Sequence, residues 1–473
     1  RQRQMCIRDS NYTIKLFLFL LIFNFSYSQI NSNITNPNFI FYLADDQDLL
    51  DYGVYGNPKV HTPAVDALAK EGIRFNNFYT SQAICAPSRS QIFTGMHPVK
   101  NGCMANHLAV KPNLKTVISY MEAEGYDVVL AGKGHVKPNS VFKWTQYFKS
   151  VDHRYLPFEK LENYLENVKK PFCVFVTSDF PHGPYPKNSS YTKDDIYQLP
   201  YDKGFFRNFK RGYYQNIKDD NAQLERILEI VQTHNLVENS IFIYASDHGI
   251  SGKWGVAEQG LKVPFIVRWP GVIKANSISE TMLNFVDVLP TFLDIIGANI
   301  PSGIDGKSFK QTLMGDSSPV HKYIYSIATK QNIRECKVFP TRAVRDLRYK
   351  FIRNYNSIEV VASNYTDNPV INQFIKIGAE SFPDVPHEEL YDLKIDPYQE
   401  NNLIKNKELT TVKEQLSNAL ESWMISQNDF LLTQKMPLIK PTLHPLDRVS
   451  NWNKVASDLE GKLNESDYLT SHY

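Results

Sequence analysis

Ser81 to Gly95 reads SQAICAPSRSQIFTG, and the rest of the chain is organised around this stretch. A cysteine alone says little, because cysteines are among the most often buried residues and serve as small core side chains. Here Pro87 and the helix-compatible run after it put Cys85 at the mouth of a helix, whose free N–H groups favour an anion. Arg89 follows one turn later and can face the same point. The pair suits an oxyanion.

Working outward, four apolar runs rich in β-formers each end in a polar cluster. Asn38 to Leu43, NFIFYL, runs into Ala44-Asp45-Asp46. Paired aspartates after a strand most often make a turn, but two adjacent carboxylates repel unless a cation lies between them. Val128 to Ala131 delivers Gly132-Lys133-Gly134-His135, in which an extended segment would point the lysine and the histidine to one side. Phe172 to Thr177, FCVFVT, leads to Phe180-Pro181-His182-Gly183-Pro184, where flanking prolines restrain the loop that carries the imidazole. Ser240 to Ala245 leads to Ser246-Asp247-His248-Gly249, with Lys253 a few residues on. Continuous apolar runs of this kind suit parallel strands buried on both faces. An open parallel α/β sheet gathers ligands beyond the C-terminal ends of its strands, so four such clusters point to one crevice. No G-x-G-x-x-G follows a strand and no P-loop is present, so neither a dinucleotide nor a nucleoside triphosphate is implied.

Between these runs the helices have ordinary signals. Thr62 suits an N-cap, Pro63 the first turn and Gly72 the C-terminal cap of one, which returns the chain to a strand over Ile73 to Phe78. Thr116 to Glu124 reads as a short amphipathic helix stopped at Gly125. Tyr213, Ile217, Leu224, Ile227, Leu228 and Val231 have the spacing of a long sheet-covering helix. Tyr185 to Tyr201 reads as an aromatic and polar excursion able to line a sugar-sized pocket. Arg345 to Arg353, RDLRYKFIR, alternates like a half-exposed strand whose charges are solvated, with a place at the cleft rim as the alternative.

At 473 residues the chain allows one large domain and a smaller companion. Lys plus Arg is 52 against 50 Asp plus Glu, so no overall field steers nucleic acid, and none is expected as a partner. Residues 11 to 29, NYTIKLFLFLLIFNFSYSQ, read as a signal peptide cleaved near Gln29, which implies export to the periplasm or beyond, with a membrane anchor as the alternative. Residues 1 to 10 read as an artefactual start. The spacing of Cys85, Cys103, Cys173 and Cys336 matches no zinc ribbon, and a Cys103 to Cys336 bridge stays open.

The Cys85-Ala86-Pro87-Ser88-Arg89 core, running on into Ser90 and Thr94-Gly95, resembles the signature of the type I sulfatases, in the alkaline phosphatase-like superfamily. Asp45-Asp46, Gly132-Lys133-Gly134-His135, the Pro181-His182 element and Asp247-His248 resemble that family's remaining site elements in family order, and GKGHVKPNSVF is similar to the N-sulfoglucosamine sulfohydrolase branch. The likeness covers roughly residues 36 to 405, ending in ELYDLKIDPYQENNL. It implies a large mixed, mostly parallel sheet sandwiched by helices, with a smaller C-terminal α+β subdomain containing an antiparallel sheet. Residues 30–317 are expected to form the catalytic domain and 318–473 the subdomain.

The resemblance further implies that Cys85 is converted to Cα-formylglycine by a maturation enzyme, and that Ca²⁺ is held by Asp45, Asp46, residue 85, Asp247 and His248. Of these, His248 is the poorest match to a hard cation and is expected to approach the sulfate or the coordination sphere rather than make a strong calcium bond. Arg89, Lys133 and Lys253 would bind the sulfuryl oxygens. Asp247 would assist attack on sulfur, His182 would protonate the leaving atom, and His135 would take the proton that releases sulfate. Lys133, His182, Lys253 and, more weakly, His107 are the expected substrate contacts. The implied activity is an exported sulfatase acting on sulfate esters, or sulfamates, of oligo- or polysaccharides. A phosphodiesterase or phosphonate monoester hydrolase of the same superfamily, and a catalytically dead carbohydrate-binding homologue, are the alternatives.

Overall fold

The computed structural model describes residues 36–104, 106–152, 154–199, 201, 207–328, 341–355, 386–433, 435–439 and 468–470. The expected signal segment and the Cys336 partner of the open disulfide lie outside them. Among the described residues no helix is long and apolar enough to cross a membrane.

The four apolar runs are four neighbouring strands. They are β1 (Asn38–Asp45), β3 (Asp127–Gly132), β5 (Phe172–Pro181) and β6 (Ser240–Ser246), with β2 (Ile73–Tyr79) intervening in sequence. With β4 (Gln146–Lys149), β7 (Lys262–Arg268) and β8 (Ser277–Ser279) the sheet runs β4-β3-β5-β1-β6-β7-β2-β8, and β9 (Leu283–Asn284) also pairs with β2. The β3-β5-β1-β6 centre is wholly parallel, with Leu130 opposite Phe175 and Phe41 opposite both Phe175 and Ile243. The antiparallel β7 makes the sheet mixed.

Alternation along each central strand feeds two cores. Phe39, Phe41, Leu43, Val128, Leu130 and Phe175 point into one, where they meet α2 (Cys85–Thr94), α3 (Val117–Ala123) and α6 (Val288–Ile295). Ile40, Tyr42, Val129, Ala131, Val174 and Val176 point into the other, beneath α1 (Pro63–Glu71), α4 (Phe158–Asn167) and α5 (Arg207–Thr233). Helices on both faces leave only the strand ends for chemistry.

Two local expectations change their reason. Thr62 stands at the N-cap of α1, but its side chain makes no cap bond and instead accepts from the Gly53 N–H at 3.0 Å. Gly72 is extended rather than left-handed (φ −136), and a Cβ there would meet the Val267 carbonyl oxygen at 2.1 Å. Close packing of α1's exit on β7 requires this glycine.

A second, antiparallel sheet follows: β10 (Ile324–Ala328), β11 (Thr341–Arg345), β12 (Tyr349–Asn354) and β13 (Glu388–Asp392) in that order, backed by α7 (Thr410–Ser426). The segment expected as one half-exposed strand is the β11–β12 hairpin, and its charges divide: Arg348 is exposed as expected, whereas Arg345 and Lys350 are not solvated. Lys350 is fully buried and Arg345 nearly so. Both pair with buried Glu258 of the large domain, Lys350 Nζ at 2.8 Å from Oε1 and Arg345 Nη1 on Oε2. Arg342 is likewise buried against Asp429, at 2.5 and 3.0 Å. Beyond α7, β14 (Lys435–Ile439) pairs with β15 (Tyr468–Thr470).

Candidate active site

Cys85 is the first residue of α2, whose ten residues are all buried. Its Sγ lies 3.4 Å from Asp45 Oδ1 and 3.3 Å from His248 Nε2. Asp45, Asp46, Cys85 and His248 each offer a ligand atom within 4.8 Å of the others, and all four are buried. This cluster can hold a metal ion. Asp46 has φ +70, a conformation aspartate tolerates better than most residues, and its N–H donates to Asp247 Oδ1 at 3.2 Å.

His248 stands in the cluster itself, one of the two places the sequence left open for it. A carbonyl only accepts, so Nδ1 donates to the Gly249 oxygen at 3.2 Å, and Nε2 is turned to the cluster, 3.1 Å from Asp46 Oδ1. Ligating imidazoles are usually anchored in this way. Asp247 is turned instead towards Arg89, its Oδ2 accepting from Nε at 3.0 Å.

Arg89 lies wholly buried one turn along α2. Nη1 donates to the Lys133 carbonyl at 3.0 Å, while Nη2 is 3.3 Å from Asp45 Oδ2 but has no hydrogen-bond partner. Lys133 Nζ bonds Asp45 and lies 2.9 Å from Asp179 Oδ1; Lys253 Nζ straddles Asp46 at 2.9 and 2.8 Å. Burial opposes the charge on Asp45, yet Lys133 and Arg89 hold its carboxyl well below the usual range. Burial, reinforced by Asp45, pushes the Cys85 thiol well above its ordinary value. The encoded side chain is therefore a neutral thiol and a poor nucleophile.

The histidines take separate places. His182 follows β5, with Nδ1 2.7 Å from the Gly183 oxygen and Nε2 3.6 Å from Asp46 Oδ2. Nδ1–H is committed to that carbonyl, so any mobile proton is carried on Nε2. His135 does not continue an extended segment: β3 ends at Gly132, and His135 has φ +53. Its Nε2 lies 2.8 Å from His107 Nδ1, and its Nδ1 is buried without a partner. Burial, with Lys133 and Arg89 close by, drives His135 down to about 2, so it stays neutral and resists protonation while those cations are unopposed. His107 thus touches His135 directly.

Several residues escaped the sequence pattern. Asp179, on β5, links Lys133 with Arg154, whose Nε lies 3.7 Å away. Arg154 and Asn216 both donate to the His182 carbonyl, at 2.7 and 3.1 Å, and so fix the histidine loop. Asp48 accepts from the Ser251 N–H at 2.9 Å and ties the Lys253 turn to the end of β1. Asp179 and Asp48 stand within three residues of recognised elements, a usable signal; Asn216 sits in a helix with none. The excursion from Tyr185 packs largely onto α5, Tyr185 against Phe209 at 3.8 Å and Tyr191 against Tyr214 at 5.6 Å, instead of lining a pocket with all its rings.

A family model described as Sulfatase matches residues 37–298, and one described as N-sulphoglucosamine sulphohydrolase, C-terminal, matches residues 246–368. An ulvan-active sulfatase of Formosa agariphila is 47% identical over 449 residues, covering 92% of this chain and 90% of that protein. A structure solved in complex with its substrate D-glucosamine-2-N,6-O-disulfate has a TM-score of 0.65 at 22% identity, covering 83% of this chain and 98% of the other. A phosphonate monoester hydrolase of Agrobacterium radiobacter reaches a TM-score of 0.66 at 16% identity, covering 84% and 97%. The two structural likenesses carry the fold alone, and one fold hosts different ester chemistries.

Proposed function

Because the chain belongs to the sulfatase family, we propose that it is a formylglycine-dependent, calcium-assisted sulfatase that removes sulfate groups from an ulvan-type polysaccharide. One observation carries the reaction class. Around the residue 85 side chain converge Lys133, Lys253 and a buried Arg89 whose Nη2 has no hydrogen-bond partner. Such a cradle of fixed donors favours an anion whose charge grows as its ester bond breaks. The 47% identity to an ulvan-active sulfatase supports the choice of polysaccharide. Export directed by residues 11–29 would bring the enzyme to a polymer too large to enter a cell.

The residues fit both implied groups. Three carboxylates, Asp45, Asp46 and Asp247, stand against the three cations Arg89, Lys133 and Lys253, so a bound dication leaves a positive excess suited to sulfate. A thiol and an imidazole are poor ligands for hard Ca²⁺, and replacing the Cys85 sulfur by oxygen makes the donor set harder. As formylglycine, residue 85 supplies hydrated-aldehyde oxygens, and calcium supplies charge neutralisation beside them. Asp45 and Asp46 would hold the ion with His248 Nε2. Arg89, Lys133 and Lys253 bind and orient the sulfuryl oxygens. His182 brings a proton on Nε2 to the leaving oxygen, and His135, whose hold on a proton strengthens when a bound sulfate offsets Lys133 and Arg89, accepts one when sulfate is released.

The test is incubation of matured protein with defined ulvan, glycosaminoglycan and paired aryl sulfate and aryl phosphate substrates, measuring free sulfate, free phosphate and sugar masses together. Sulfate release with desulfated ulvan fragments is expected. Phosphate release without sulfate release would move the protein to the phosphohydrolase alternative. Action confined to N-sulfated sugars would make it a sulfamidase.

A further inference from the structure

Lys253, whose Nζ lies on Asp46, is followed directly by Trp254, and the two share one turn. The turn is pinned at several points. Ser251 donates its N–H to Asp48 at 2.9 Å, and the Lys253 N–H donates to the Ile250 carbonyl at 3.2 Å. The Trp254 N–H donates to the carbonyl of Ala83, two residues before residue 85, at 2.9 Å. Gly252 packs so closely on Gly260 that a Cβ there would meet the Gly260 nitrogen at 2.2 Å. The backbone that carries Trp254 is thus clamped between the loop after β1, the mouth of α2 and the segment at Gly260.

Two features of Trp254 do nothing for the fold. Its φ is +75, a conformation that glycine adopts freely and a bulky side chain does not, yet the neighbouring glycine stands one place later, at 255. The residue is also 38% exposed, and its indole has neither a ring partner nor a hydrogen bond among the described residues. A single exposed apolar side chain is ordinary. A strained one, held rigidly beside a lysine of the anion cradle, is not, and strain of this kind gathers where a site needs a side chain in one place.

We propose that the Trp254 indole is a wall of the catalytic crevice on which the sugar ring bearing the reacting sulfate stacks its C–H face. This rests on the polysaccharide sulfatase reading above and adds to it the residue that selects a saccharide. The face of an aromatic ring is electron-rich and apolar, which matches the polarised C–H groups on one side of a pyranose. Consecutive Cα atoms are only about 3.8 Å apart, so a sulfuryl group held by Lys253 brings its own sugar within reach of the next side chain. Trp254 is a positioning residue: it touches no reacting atom, and it orients the sugar so that the ester faces residue 85.

The experiment compares full-length, matured wild type, Trp254→Gly and Trp254→Phe in two measurements that need no turnover. One is titration with chemically desulfated ulvan oligosaccharide, followed by ligand-observed NMR; the other is thermal unfolding at rising inorganic sulfate. Trp254→Gly should bind the oligosaccharide roughly tenfold more weakly and keep the stabilisation by sulfate. It should unfold at no lower temperature than wild type, because glycine relieves the left-handed φ and no packed side chain is lost. Trp254→Phe should recover most of the oligosaccharide affinity. Unchanged oligosaccharide binding by Trp254→Gly, an equal loss for sulfate and oligosaccharide, an unfolding temperature lowered by several degrees, or no saturable oligosaccharide binding by wild type would overturn the proposal. Sulfate release from sulfated ulvan by wild type reports separately on the catalytic reading, so either can fail alone.

Discussion

Glu258→Gln should loosen the attachment of the second sheet without touching the active site. The substitution removes the carboxylate that faces fully buried Lys350 and nearly buried Arg345, and leaves two cations in the interface. Burial alone would raise the Glu258 carboxyl, but Arg345 and Lys350 bring it from 4.5 down to about 2. At ~1.36 kcal/mol per pH unit, that gap corresponds to ~3 kcal/mol in favour of the folded state. Burial pulls Lys350 below its ordinary range despite Glu258, which offsets part of the gain; removing one partner of a buried pair typically costs about 3–5 kcal/mol, and we expect about 3 here. The sign follows from a depressed acid: the contribution is complete above the unfolded value of 4.5 and is lost as pH falls towards about 2. Urea unfolding of wild type and variant should therefore differ by about 3 kcal/mol at neutral pH and by about 2 kcal/mol near pH 3.5. Adding Lys350→Met should recover only part of the loss, because it removes the fully buried cation while Arg345 still lacks its carboxylate. An unchanged unfolding midpoint, or a difference independent of pH, would refute the reasoning.

Three further outcomes follow from the geometry. Asp46→Asn removes the carboxylate shared by Lys253 and His248, so calorimetric titration with calcium should show roughly tenfold or weaker binding, with the fold retained because no core volume is lost. His182→Ala should lose much less rate on an aryl sulfate with a very good leaving group than on a sugar sulfate, since only the latter needs a proton from Nε2; equal losses in kcat/KM on both would remove its assignment as the acid. Gly72→Ala should destabilise the protein by about 1–3 kcal/mol in the same urea assay, because its Cβ would press on the Val267 carbonyl.

The sheet centre was legible because parallel strands buried on both faces leave continuous apolar runs, and β1, β3, β5 and β6 all do so. Their C-terminal ends carry Asp45, Lys133, His182 and Asp247, so strand position and residue type gave the crevice together. What escaped was whatever depends on a distant partner. The alternation in RDLRYKFIR shows two faces but not that Glu258, 92 residues before Lys350, waits on one of them. Gly72 looked like a cap because the sequence does not show β7 lying against it. Asn216 and Arg154 hold the His182 loop through backbone carbonyls, which any residue supplies, so no motif marks them. His248 looked too soft for the ion, and only the anchoring of its Nδ1 by the Gly249 carbonyl shows why its Nε2 faces the cluster.

The central claim is that residue 85 works as formylglycine and not as the encoded thiol. Preparations made with increasing amounts of a co-expressed maturation enzyme can be compared by two numbers: the fraction of the residue 85 peptide that is about 18 Da lighter than encoded, and the rate of sulfate release per mole of protein. The account predicts that the rate rises in proportion to the converted fraction and extrapolates to zero when none is converted, as a buried thiol pushed well above its ordinary pKa requires. Full turnover by protein whose Cys85 is wholly unmodified would contradict it.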